Sequence, residues 1–216
     1  MSGSPPPAAS PAPAATGIVL AGGASSRFAA SDGSSKLDAA LAGRSVLDWT
    51  IRAVAAACQH VVVAGRTGPS DASVSYVADP APGGQGPLAG LRAGLATAGG
   101  ELVVVAGGDM PLLSAPVLRL LVDRLAANPD ATAAAVRDGD VLRPLPLALR
   151  REPALEAIGQ VAAAGQRALR DVVAALSVVI VEEAEWRPLD PGGQWRFDID
   201  RREDLAEAAR RLASSE

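Results

Sequence analysis

The chain of 216 residues has one cysteine and one histidine, and each shortage excludes a class of chemistry. Cys58 alone cannot form an intrachain disulfide or a cysteine-rich metal site, and His60 alone excludes paired-histidine zinc motifs. Both stand at the start of an apolar run, where packing or helix-end roles are expected. Aromatics make up 3% of the residues against 49% hydrophobic, so the core must be built from Ala, Val, Leu and Ile. Dense Lys/Arg runs are absent and the formal net charge is −4, so nucleic acid is not an expected partner. A small anionic substrate stays open, because a few aimed cations and backbone amides suffice to bind it. No apolar segment approaches the length of a membrane span. Residues 1–15 lack the basic and Leu-rich regions of a secretory signal. A soluble cytoplasmic protein, without membrane contact, is the expectation.

Residues 1–15 are rich in Pro, Ala and Ser and are expected to form a disordered leader. Residues 16–216 have the length of one domain. There, apolar runs alternate with amphipathic stretches. Strands are expected at 17–21, 60–64, 74–78, 101–106, 131–137, 144–149 and 177–182. Helices are expected at 45–57, 87–98, 114–127, 153–164, 168–175 and 201–212, with Ser114 as a candidate N-cap. Strands apolar on both faces that alternate with helices imply a single Rossmann-like α/β domain of three layers with a mainly parallel sheet. Ligands of such sheets sit outside the carboxyl ends of the strands. That rule selects the segments after Ala21, Ala64, Ala78 and Ala106.

The first of these segments carries the clearest chemistry. Leu20-Ala21-Gly22-Gly23 is followed by Ser25, Ser26, Arg27 and, further on, Lys36. Glycines let backbone N–H groups approach an anion without an intervening Cβ. Arginine suits forked phosphate contacts and lysine supplies a point charge. An ordinary polar loop is the plain alternative. Two common phosphate loops are excluded. Lys36 lies between Ser35 and Leu37, which breaks the Walker A pattern, and no Gly-x-Gly-x-x-Gly follows the first strand.

Leu-Ala-Gly-Gly-x-Ser-x-Arg with a downstream Lys resembles the signature of nucleotidyltransferases of the nucleotide-diphospho-sugar transferase fold. Gly86-Pro-Leu-Ala-Gly90, Gly108-Asp-Met-Pro111 and Phe197-Asp-Ile-Asp200 follow in order. They resemble segments of the molybdenum cofactor guanylyltransferase family. The resemblance implies transfer of GMP from GTP to a molybdopterin-type acceptor, with Mg²⁺ as cofactor. It implies nucleotide contacts at Leu20, Ala21, Gly22, Gly23, Lys36, Asp79 and Asp109, and catalytic cations at Arg27 and Lys36. Asp109 would hold the metal and Asp198 would be its second ligand. Transient contact with molybdoenzyme maturation proteins is a further expectation.

Structural alternatives stand beside these roles. Asp109 and Asp79 suit turns, Gly90 and Gly94 suit close helix packing, and Arg143 and Arg167 suit a solvated surface as well as an acceptor's phosphate. Asp200 and Glu203 have capping-box spacing. The chain also departs from the family pattern. Phe28-Ala29-Ala30 follows Arg27, and eight residues separate Arg27 from Lys36. Ala64 stands where the family often has Asn. Asp198-Ile-Asp200 with Arg201-Arg202 replaces an Asn-x-Asn-Thr-Pro ending and resembles cytidylyltransferase relatives. A CTP-using relative and a nucleotide-binding protein without catalysis are therefore the rival readings.

Overall fold

The structure is a computed structural model that describes residues 14–22, 28, 35–78 and 86–214. The chain enters through β1 (Ala15–Leu20), passes a short 3-10 turn (Lys36–Asp38) and forms a ribbon of β2 (Ala40–Leu41) and β3 (Arg44–Ser45). Then come α1 (Val46–Ala55), β4 (His60–Ala64), β5 (Val74–Val77), α2 (Gly86–Thr97), β6 (Leu102–Gly107) and α3 (Ala115–Ala126). The second half holds β7 (Ala133–Asp138), β8 (Val141–Arg150), α4 (Arg151–Ala163), α5 (Leu169–Ala174), β9 (Val178–Val181), α6 (Glu183–Trp186), a 3-10 turn (Gln194–Arg196) and α7 (Arg202–Ala213). No helix among the described residues is long and apolar enough to cross a membrane.

Local signals explain several boundaries. Ser45 accepts the Asp48 N–H at 3.0 Å while Asp48 accepts the Ser45 N–H at 3.4 Å, a reciprocal cap worth about 1 kcal/mol. Ser114 occupies the N-cap position of α3 as expected, but its hydroxyl makes no cap bond. A proline in the first turn, Pro116, removes one N–H that a cap would have served. The first strand starts at Ala15, inside the stretch expected as leader. Its carbonyl accepts the Gln59 N–H, which ties it to the approach to β4. Residues 1–13 of that leader lie outside the described residues.

Seven strands form one sheet in the order β5-β4-β1-β6-β8-β7-β9. Every paired neighbour is parallel except β8, which runs antiparallel to both β6 and β7. Residues 147–149 of β8 pair with both neighbours, and Leu142 pairs with β7 again beyond an irregularity. The stretch between contains Pro144 and Pro146, which have no N–H to give a ladder. The reversal of β8 puts its beginning at the carboxyl end of β6.

Helices cover both faces. Val19, Val61, Val63 and Val104 face α1 and α3 through Leu47, Val54, Leu118 and Leu121. Ile18, Val62, Val103 and Val105 face α2, α4 and α5 through Leu91, Leu95, Ile158 and Val172. This in-out alternation along each strand is the period of two that a pleated sheet imposes. The helices approach closely because glycines lack side chains. A Cβ on Gly17 would sit 2.2 Å from Val54 Cγ1, and one on Gly94 would sit 2.7 Å from Ile18 Cγ2. A third cluster, with Phe28, Leu41, Val46, Leu112, Ile199 and Ala208, docks α7 beside the carboxyl edge.

Candidate active site

The site is built where β1, β4 and β6 end. The Ala21 N–H donates to the Ala64 carbonyl at 2.7 Å, and Gly22 then leans on Gly65. Gly65 has φ +94°, and a Cβ there would lie 2.6 Å from the Gly22 nitrogen. Only glycine permits that approach. Ala64, where the family often has Asn, thus gives its backbone to the loop. Gly23, Ser25, Ser26, Arg27 and Asp79 lie outside the described residues. Phe28 is buried, and the Arg202 guanidinium lies 5.2 Å above its ring. This departure from the family pattern is a core contact.

Lys36 reaches the centre of the edge despite its late position. Its Nζ lies 2.6 Å from Asp109 Oδ2 and 3.3 Å from Asp200 Oδ1. The 3-10 turn delivers it: Ser35 Oγ accepts the Leu37 N–H, and Leu37 is buried below. Burial works against the Lys36 charge, but the Asp109 and Asp200 carboxylates outweigh it and raise the pKa. The ammonium is therefore fixed as a cation.

Asp109 is held by its backbone. The Gly108 N–H donates to Leu20 O at 2.9 Å, and the Ile199 N–H donates to Asp109 O at 2.8 Å. The buried Thr50 Oγ1 lies 3.1 Å from Gly108 O and 3.3 Å from Val46 O, which ties the turn to α1. The carboxylate folds back over Gly107, where a Cβ would stand 2.6 Å from Asp109 Oδ1. Gly107 and Thr50 carry no sequence signal of these roles.

The closing motif lies across this turn. Asp198 is exposed as a residue, but partial desolvation of its carboxyl, then the Asp109 and Asp200 charges, raise its pKa. The expected Asp200–Glu203 capping box is not formed. Asp204 Oδ2 accepts the Asp200 and Arg201 N–H groups at 2.8 and 2.7 Å. Because Asp204 caps α7, the Asp200 carboxylate is available to Lys36. Asp200 thus joins the candidate site through Lys36, a pairing that capping-box spacing masks.

This donor set suits Mg²⁺. It consists of carboxylate oxygens, and Asp109 and Asp200 already share one positive group, the Lys36 ammonium. Among the described residues no three His, Cys, Asp or Glu side chains close into a metal cage. Mg²⁺ commonly takes one or two carboxylates and fills its other positions from substrate phosphate and water.

The remaining candidates separate. Arg143 donates to Asp138 at 2.6 Å and lines a cleft with Asp198 and Asp200. Arg167 instead lines a smaller pocket with Leu88, Arg92 and Ile158, between α2 and α4. Gly94 is required by packing, whereas a Cβ on Gly90 would make only ordinary contacts at 3.9 Å and beyond. His60 bonds Ser75 beside β4. Burial pushes the Cys58 thiol up to about 12, as befits a packing residue.

The family model described as MobA-like NTP transferase domain matches residues 17–180. A molybdenum cofactor guanylyltransferase of Burkholderia ambifaria is 32% identical over 215 residues, covering 94% of this chain and 99% of that protein. One from Desulfosudis oleivorans is 29% identical over 197 residues, covering 90% of this chain and 94% of its own. Among solved structures, molybdopterin-guanine dinucleotide biosynthesis protein A from Archaeoglobus fulgidus is similar in fold. Its TM-score is 0.74 at 22% identity, covering 92% of this chain and 99% of that one.

Proposed function

The chain belongs to the MobA-like NTP transferase domain family, and on that premise we propose that it transfers GMP from GTP to the phosphate of molybdopterin, releasing pyrophosphate. The observation that carries the reading is the pairing of Lys36 with Asp109 at the carboxyl edge, beside the end of β1. It puts a fixed cation and a carboxylate where a triphosphate held by the glycine loop would end.

Such a reaction needs alignment and charge neutralisation more than covalent help from the protein. An oxygen of the acceptor's phosphate attacks the α-phosphorus in line, and the bond to pyrophosphate breaks. Backbone amides of Gly22 and Gly23, with Arg27, would hold the leaving pyrophosphate. Lys36 would balance the charge that grows on it. Asp109 and Asp198, with Asp200 adjoining, would hold Mg²⁺, which supplies charge neutralisation at the phosphate oxygens. Leu20, Ala21 and Asp79 would complete the nucleotide contacts. The reading includes a cytoplasmic location, transient contact with molybdoenzyme maturation proteins, and neither nucleic acid nor membrane as a partner.

Pyrophosphate release with GTP, CTP, ATP and UTP, each with and without molybdopterin, tests it. Release with GTP that depends on molybdopterin is the expected result. Release with CTP alone would reassign the base. Nucleotide binding with no release in any mixture would overturn the enzyme reading.

A further inference from the structure

An in-line displacement places the incoming and departing groups on opposite sides of the α-phosphorus. In the sheet, β1 and β4 lie on one side of β6, and β8 and β7 lie on the other. Asp109 follows β6 and so stands between the two halves. If the triphosphate lies over the β1 loop, the second substrate enters from the β8–β7 side. A cleft of about 550 Å³ opens there, lined by Arg143, Arg196, Asp198 and Asp200 among others.

Among the described residues four guanidiniums and three carboxylates line it, and two of the four guanidiniums are built in. Arg143 Nη2 lies 2.6 Å from Asp138 Oδ2, and Arg196 Nη1 lies 2.6 Å from Asp138 Oδ1. Asp138 ends β7 with its side chain 13% exposed, while the two arginines are 41% and 40% exposed. One carboxylate thus pairs with two guanidiniums, and the trio keeps one positive charge. Arg196 also has a seat. Its guanidinium lies over Gly193, where a Cβ would fall 3.1 Å from Arg196 Cζ. Gly193 has φ +58°, which suits glycine.

The turn that carries Arg196 is rigid. Trp195 beside it is fully buried and meets Trp186 edge-on, with ring centroids 5.4 Å apart. The Trp195 backbone N–H donates to the buried Asp190 carboxylate at 2.9 Å.

We propose that Arg196 and Arg143, spaced by Asp138, form the clamp that receives the phosphate monoester of the acceptor and aims it at the nucleotide. The proposal rests on the guanylyltransferase reading for the identity of that phosphate. A phosphate monoester carries nearly two negative charges at neutral pH, and paired guanidinium forks match its oxygens.

The test compares wild type with Arg196→Ala and Arg196→Lys, with molybdopterin and then GTP as the varied substrate. Arg196→Ala should raise KM for molybdopterin about 10- to 100-fold and leave KM for GTP unchanged. Arg196→Lys, which keeps the charge and loses the fork, should fall between. Direct titration of molybdopterin into the GTP-free proteins should show the same order of affinities. An unchanged molybdopterin KM and affinity in both variants would overturn the clamp, as would an equal rise in KM for GTP. If Arg196→Ala fails to fold, Arg196→Lys and Arg143→Lys decide by the same readings. Wild type that binds molybdopterin and transfers nothing to it refutes the guanylyltransferase reading and leaves the clamp standing. Wild type that transfers, with variants that match it, does the reverse.

Discussion

Replacing Gly107 with alanine adds one methyl group to the site, and the structure says where it goes. The new Cβ would fall 2.6 Å from Asp109 Oδ1, and real Cβ contacts essentially never fall under 3.0 Å. The carboxylate must retreat by roughly half an ångström or more to reach ordinary contact. The other neighbours, Met110 Cγ and Sδ at 3.5 Å, need not move. The strand itself is not strained, because Gly107 is an extended residue of β6 and is not among the glycines with positive φ. Losing a glycine also lowers the entropy of the unfolded chain, worth about 0.4–1 kcal/mol in favour of folding. The fold should therefore survive with a melting temperature within a few degrees of wild type. Activity should not. Retreat of the carboxylate lengthens the 2.6 Å contact with Lys36 and shifts the oxygen expected to hold Mg²⁺. Misplacement of a reacting group by about 1 Å costs on the order of a hundredfold, so a loss of kcat of roughly 10- to 100-fold is expected. Initial rates of pyrophosphate release, with thermal melts on the same samples, give both numbers. A folded Gly107→Ala protein with wild-type kcat would refute the link between Gly107, Asp109 and the chemistry.

Two further perturbations follow from the same geometry. Lys36→Ala removes the cation shared by Asp109 and Asp200, and kcat should fall by about a hundredfold, near 3 kcal/mol in the barrier; unchanged turnover would remove Lys36 from the mechanism. Asp138 is held below its ordinary value of 3.8 by its Arg143 hydrogen bond, with Arg196 adding to the effect against burial. A carboxyl with a lowered folded pKa stabilises the fold above its ordinary value and loses that contribution as pH falls through the folded one. The difference in melting temperature between wild type and Asp138→Asn should thus be widest near neutral pH and close as pH drops below 3.8. A gap that stays constant through that range would count against the shared ion pair.

Much of the protein was legible in its sequence. Runs such as 61–64 and 102–106 are apolar at every position, as strands buried on both faces must be. From them came the mainly parallel sheet, its carboxyl edge as the candidate site, and the placing of Asp109 there. Motif order gave the family, because glycine turns and carboxylates at fixed places after strands leave a local trace. The side-chain partners were not legible, because a chain pattern records spacing along the backbone and these contacts bridge long intervals. Lys36 meets Asp200 across 164 positions, and Arg196 meets Asp138 across 58. The capping-box spacing at Asp200 even points away from its contact with Lys36, since Asp204, one residue beyond Glu203, makes the cap. Alone, the sequence determined which strands are buried and therefore at which edge the candidate site lies. The tertiary structure decided which charges meet there, because only the packed sheet and the docking of α7 bring the segments of Lys36, Asp109 and Asp200 to one point.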